Sequence, residues 1–140
     1  MKKISILLLL LGFLISCGGK ENYFKVIEET FKDGSPHLIK YYKSKDKKIL
    51  LKETIYYRSG KKKLEGSYNN TQKSGVWKAW FPNGNLWSQA TYINGIENGE
   101  KTVYYENGNK YYQGFLKDNK RTGDWSFWDK EGKLLKTVTY

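Results

Sequence analysis

This chain is poor in the residues on which most site chemistry depends. Its 140 residues include one Cys, one His, one Met and two Pro. A lone cysteine excludes an intramolecular disulfide framework and any Cys-rich zinc site. A lone histidine excludes the HExxH arrangement and every multi-His metal site. Nothing follows the patterns GxSxG or GxxxxGK[ST], and the SxxK spacing falls only in the lysine-rich stretches Ser44 to Lys47 and Ser59 to Lys62, so no acyl-transfer nucleophile or phosphate cradle is expected. Acidic residues are also few, 14 against 25 basic ones, giving a net charge of +11. Asp118, Asp124 and Asp129 read as turn and surface residues rather than an acid–base pair. His37, beside Pro36, reads as a solvated turn residue. The expectation is a protein that is not an enzyme and needs no cofactor or metal.

The one long apolar run lies at the N-terminus. Met1-Lys2-Lys3 is a basic start, and Ile4 to Ile15 is apolar except for Ser5 and Gly12. As a helix this run would rise about 18 Å, too short for the ~30 Å hydrocarbon core, so it reads as an export signal. It ends in Leu14-Ile15-Ser16-Cys17-Gly18, which resembles the lipobox of bacterial lipoproteins. That resemblance implies cleavage before Cys17 and its lipidation, with a thiolate as the nucleophile that takes up the lipid. Several acyl chains would anchor stably, each buried CH₂ contributing about 0.8 kcal/mol. Gly18 resembles the residue that sends a lipoprotein to the outer membrane in bacteria that have one. The division expected is a signal at 1–16, a tether at 17–22 and one domain at 23–140.

Within that domain the sequence repeats. Gly60, Gly84, Gly108 and Gly132 are 24 residues apart, and so are Gly75, Gly99 and Gly123. Four residues before each of the first set stand Tyr56, Trp80, Tyr104 and Trp128. Six residues after it come Gly66, Ala90, Gly114 and Val138, and two further on Tyr68, Tyr92, Leu116 and Tyr140. Ser59-Gly60, Asn83-Gly84, Asn107-Gly108 and Glu131-Gly132 are turn pairs in which glycine supplies the positive φ. The expected strands are Asn85 to Tyr92 and Tyr111 to Lys117, with returns over Val76 to Phe81, Lys101 to Tyr105 and Asp124 to Trp128. Between them a second polar turn, at Asn94-Gly95 or Asp118-Asn119, is expected to close at the second glycine set. A degenerate first repeat spans 31–56, with Asp33-Gly34 set 26 residues before Gly60; regular repeats span 57–140. Tyr23 to Phe31 reads as a capping strand or a short helix, the strand being favoured.

These features resemble the MORN-repeat proteins, and more closely their bacterial variant form. The shared residues are Trp80-Phe81-Pro82-Asn83-Gly84, Ala90-Thr91-Tyr92 and Gly123-Asp124-Trp125. The likeness runs roughly from Phe31 to Tyr140 and departs at Lys101, Leu116 and Asp129. It implies an all-β fold, an elongated, twisted antiparallel meander of 24-residue hairpin units in which each unit contacts its neighbours. Gly66, Ala90 and Gly114 are expected to leave room for rings from adjacent hairpins.

Rings outside the four-fold columns mark a candidate binding surface. Trp87 and Tyr111 share a column with Lys63 and Leu135, and Tyr112 shares one with Leu64, Ser88 and Lys136. With Lys61, Lys62 and Lys63 contributing charge, they are expected either to line a strip suited to a sugar, peptide or partner strand or simply to pack against neighbouring hairpins. A second basic cluster, Lys43, Lys45, Lys47 and Lys48, could add to attraction toward an anionic lipid surface. Nucleic acid is not expected, because export removes the usual substrates. The expected function is a membrane-anchored envelope lipoprotein that binds or scaffolds an envelope protein or glycan. The family resemblance also implies an alternative, an antitoxin-like component that neutralises a protein partner in the cytoplasm; the lipobox argues against it.

Overall fold

The computed structural model describes residues 23–140. The signal, Cys17 and the tether lie outside the described residues. The rest is a single antiparallel sheet of ten strands, each hydrogen-bonded to its neighbours in the sequence. The strands are β1 (Phe24–Thr30), β2 (Pro36–Tyr42), β3 (Leu50–Tyr56), β4 (Lys62–Asn69), β5 (Gln72–Trp80), β6 (Leu86–Ile93), β7 (Ile96–Tyr104), β8 (Lys110–Lys117), β9 (Lys120–Trp128) and β10 (Leu134–Thr139). The capping segment is a strand, β1, and the fold is the all-β meander the repeat implies.

Two kinds of turn alternate along it. The loops after β1, β3, β5, β7 and β9 share one geometry. In the loop after β5, Phe81 N–H donates to Asn85 C=O and Gly84 N–H donates to Phe81 C=O. Gly84 holds φ at 98° there, a value that only glycine reaches without strain. At the other ends, β4–β5, β6–β7 and β8–β9 are joined by two-residue turns at 70–71, 94–95 and 118–119. Both central residues have positive φ in each, as at Asn94 (50°) and Gly95 (81°), the mirror-image turn whose twist matches paired strands. The β2–β3 connection is longer and carries the Lys43–Lys48 cluster, where Lys47 reaches Glu28 at 3.8 Å. These extra residues account for the 26-residue first spacing.

The second glycine set does not close those turns. Gly75, Gly99 and Gly123 lie inside β5, β7 and β9 with φ of 70°, 127° and 63°. Glu65 pairs with Lys78 while Ser67 pairs with Ser74, so three residues of β5 stand opposite Gly66. The same two-residue surplus recurs between β6 and β7 and between β8 and β9. Each glycine therefore lies in a three-against-one bulge that bends the return strand. The return strands accordingly start five residues earlier than expected at Lys101 and four earlier at Val76 and Asp124.

Among the described residues no second layer covers the sheet, so its core is made of side chains lying flat on their own strands. Trp77 and Trp125 are buried to 4% and 2% exposure. Their indoles lie over Gly66 and Gly114, where a Cβ would overlap the ring. Each indole N–H donates across to a carbonyl, Trp77 to Ser67 and Trp125 to Phe115, both at 3.1 Å. Cations cap the same rings, with Lys73 Nζ 4.2 Å from the Trp77 centroid and the Arg121 guanidinium 4.5 Å from that of Trp125. Thr54 and Thr102, two repeats apart, are fully buried, and their hydroxyls donate to Glu65 and Glu100.

Candidate functional site: an aromatic face with a gap in its tryptophan row

A second irregularity orders the candidate residues. After each glycine loop the outgoing strand carries one extra residue. It is His37, Lys63, Trp87, Tyr111 and Leu135 in turn, skipped in the pairings Thr30–Pro36, Tyr56–Lys62, Trp80–Leu86, Tyr104–Lys110 and Trp128–Leu134. The column to which Trp87 and Tyr111 belong is thus the bulged residue of each repeat. In the first four of these, that residue packs on the first residue of its own loop. Tyr111 lies 4.9 Å from Tyr105, Trp87 6.1 Å from Phe81, and Lys63 Nζ 5.8 Å from the Tyr57 ring. His37 falls in this column rather than in a turn; its ring meets Phe31 at 4.7 Å and its Nδ1 lies 3.0 Å from Glu29.

The bulge also sets Tyr111 and Tyr112 against each other, ring centroids 5.3 Å apart. From Tyr112 the contacts run on to Trp125 at 5.8 Å and Phe127 at 6.1 Å, and from Trp125 to Tyr140 at 6.3 Å. Tyr105, Tyr111, Tyr112, Phe127, Trp125 and Tyr140 therefore form one continuous ring cluster. Tyr111 is 44% exposed on it and Trp87, in the preceding repeat, 50% exposed; Tyr112 is half-buried and packs on Trp125.

Lys61, Lys62 and Lys63 are all exposed, and each has a different neighbour. Lys61 Nζ donates to Asn83 C=O at 2.5 Å, and Lys62 Nζ lies 2.8 Å from Glu65 and 5.7 Å from the Trp80 ring centroid. Burial raises the Glu65 carboxyl, but Lys62 and Lys52 outweigh it and hold the group below its ordinary value. The Lys61 contact belongs to a row of ties along the loop edge. Asn85 donates to Glu106 C=O at 2.8 Å and Asn109 to Lys130 C=O at 2.7 Å.

The middle repeat breaks the tryptophan row, a consequence that its sequence exception did not reveal. Where the flanking repeats place Trp77 over Gly66 and Trp125 over Gly114, it places Lys101 opposite Ala90. Where they place Lys73 and Arg121, it has Glu97. Lys101 Nζ turns to Glu97, 2.9 and 2.8 Å from its two oxygens, and Tyr92 also donates to Glu97 at 2.9 Å. No indole fills the space above Ala90. A hollow of about 100 Å³ opens there, with Ala79, Ser88 and Ala90 in its lining and Trp77, Tyr92 and Lys101 among its walls. Tyr92 beside it is pushed up to about 12, by burial first and then by Glu97.

The described chain is a single-layer β-repeat protein with an aromatic face, and among its residues no group of three His, Cys, Asp or Glu side chains could hold a metal ion. Residues 51–70, 73–94, 97–118 and 121–140 match the family model described as MORN repeat variant. They make up more than half of the chain, which belongs to that family. No curated protein matches it. A solved structure titled "Crystal Structure of TarM" aligns with 84% of this chain and 21% of that chain, at 12% identity and a TM-score of 0.49. The chain thus spans about a fifth of that protein's length.

Proposed function

We propose that this is a cell-envelope lipoprotein, anchored through lipid on Cys17, whose repeat domain is a non-catalytic binding or scaffolding module. The observation that carries the binding reading is the aromatic face. Trp87 and Tyr111 leave about half their surface in water, although rings of this size are strongly driven to bury it. Adjacent rings hold them rigidly, so little ordering entropy is lost when a partner covers them. The envelope placement is supported by the signal-like run that ends at Cys17. The outer membrane would be the site in an organism that has one, and an envelope protein or glycan the partner.

The test compares wild type with Cys17→Ala in the native host, by fractionation and by protease added to intact cells. Membrane retention that is lost in the variant is the expected result. Protein found soluble in the cytoplasm in both strains would overturn the placement and leave the antitoxin reading in its stead. For the surface, Trp87 and Tyr111 are the residues to change to Ala together, while Tyr112 serves packing. The double variant should keep its cooperative unfolding and lose cross-linking to its envelope partner; unchanged cross-linking would refute the surface.

A further inference from the structure

Four positions break the repeat in a second way, on the face turned away from the indoles. Val76 stands in the column that holds Glu100 and Asp124, and Ile93 in the column of Asn69 and Lys117. Ile96 shares a column with Gln72 and Lys120, and Phe115 one with Ser67, Thr91 and Thr139. Each is apolar where these counterparts are polar, so the hairpin unit does not demand it. Strand pairing gathers the four on one face. Val76 pairs with Thr91, next to the Trp77–Ala90 pair, so both point away from the indole side. Ile93 pairs with Ile96, and Phe115 with Glu100, on that same opposite face. They lie on the adjacent strands β5 to β8 toward the two-residue turns, whereas Trp87 and Tyr111 lie near the glycine loops. All four are between 39% and 53% exposed. Half-exposed apolar side chains gathered where the fold does not require them mark a docking surface.

Charge at the rim specifies the partner. Lys117 and Lys120 pair directly across the β8–β9 turn, on the same face as Phe115. Lys78 stands two residues from Val76 on that face. All three are exposed, and among the described residues none of them forms an ion pair. Like charges placed directly opposite destabilise a sheet, a cost that an incoming anion relieves. The turn with the isoleucines and the turn with the lysines are one hairpin unit apart, about 9.6 Å. Residues seven apart on one face of a helix are separated by about 10.5 Å. An amphipathic helix therefore presents an apolar side chain and a carboxylate at the spacing required.

We infer that this surface docks an acidic amphipathic helix of a partner polypeptide. Its apolar stripe covers Val76, Ile93, Ile96 and Phe115, and its carboxylates meet Lys117 and Lys120. The inference goes beyond the aromatic face of the proposed function and adds a second surface at the other ends of the strands. A second copy is a poorer occupant, because two chains of net charge +11 repel. An anionic bilayer is poorer too, since Glu100 stands between Val76 and Phe115 in the strand order of this face. A sugar finds only the Phe115 ring to stack on.

The probe is a capped peptide of leucine, alanine and glutamate in which leucine recurs along one helical face. It is added to the full chain held in phosphatidylcholine nanodiscs, and binding is read by surface plasmon resonance against empty discs. Saturable binding is expected below about 1 mM. The same peptide with lysine for every glutamate, or with serine for every leucine, should bind at least tenfold more weakly. Ile93→Asn, Ile96→Gln and Phe115→Thr together install residues that other repeats already carry. That triple variant should unfold as wild type does and lose at least tenfold in affinity. Lys117→Asn with Lys120→Gln should weaken binding several-fold yet unfold no earlier than wild type, since it removes a like-charge pair. Trp87→Ala with Tyr111→Ala should leave binding unchanged. Equal binding of the acidic and basic peptides, binding kept by both patch variants, or no saturable binding in that range would overturn the inference. So would a dimer that the triple variant abolishes, or patch-dependent attachment to phosphatidylglycerol discs in place of peptide binding. This readout does not depend on where the cell places the protein, so failure of the lipoprotein reading leaves it interpretable.

Discussion

Gly66 lies directly beneath the indole of Trp77, so close that the ring occupies the place of a Cβ. Gly114 stands in the same relation to Trp125. Changing either glycine to Ala forces the indole off its strand, an overpacking that costs about 1–3 kcal/mol. The loss should reach the upper part of that range, because Nε1–H must also leave its carbonyl. Gly108→Ala meets nothing within 4 Å and is strained only by its φ of 92°, so it should cost about 1 kcal/mol. Urea denaturation of the three variants checks the order.

Thr71 is a β-branched residue held at φ 68° in the β4–β5 turn, a position that favours glycine by about 1 kcal/mol. The equivalent turn at Asn94 has Gly95 in that place. Thr71→Gly should therefore stabilise the protein by about 0.5–1 kcal/mol, part of the gain being offset by the freer unfolded chain. A lower urea midpoint in the variant would contradict this.

Tyr68 and Tyr92 are each pushed up to about 12, burial acting first, with Glu53 adding to the first and Glu97 to the second. Their ordinary value is 10.0. The neutral phenol is the form the fold favours, so this stability is whole below pH 10 and is lost as pH rises from 10 toward 12. Denaturation midpoints should fall over that interval. Ultraviolet titration should show some tyrosines ionising about two units late, and Glu97→Gln should bring Tyr92 part of the way back.

Among the second glycines, Gly99 is the least replaceable. Its φ is 127°, and a Cβ there would come within 2.9 Å of Thr91 Cβ. Gly75 and Gly123 have open space around them. Gly99→Ala should cost at least about 1 kcal/mol more than Gly123→Ala, since it adds a clash to the strain. Thermal unfolding of the pair decides it.

The 24-residue spacing made the meander legible, because a turn glycine and a buried ring must recur wherever a hairpin recurs. The small column at 66, 90 and 114 was legible too, since a ring needs somewhere to lie. The role of the second glycines was not. A turn and a bulge both require positive φ, and spacing alone cannot separate them. Their two-residue bulge in turn decides which side chains face each other eleven residues apart, as Gly66 and Trp77 do. Trp87 and Tyr111 were recognisable as unneeded by the repeat, but only strand pairing shows them as bulged residues. Tyr112 looked equally free in sequence, yet its neighbour Trp125 claims it for packing. Lys101 was visible as an exception; that it leaves a hollow depends on Glu97 drawing its ammonium aside.

The ties along the loop edge run from a side chain to main chain. Lys61, Asn85 and Asn109 reach the carbonyls of Asn83, Glu106 and Lys130, so these three ties ask for no particular side chain in the receiving loop. As far as these ties go, any unit can follow any other. Order along the sheet becomes free to carry information, in the way that identical links can be strung with one differing bead. The Ala90–Lys101 unit is such a bead, and its distance from either end is set by counting whole units of two strands, each about 9.6 Å wide.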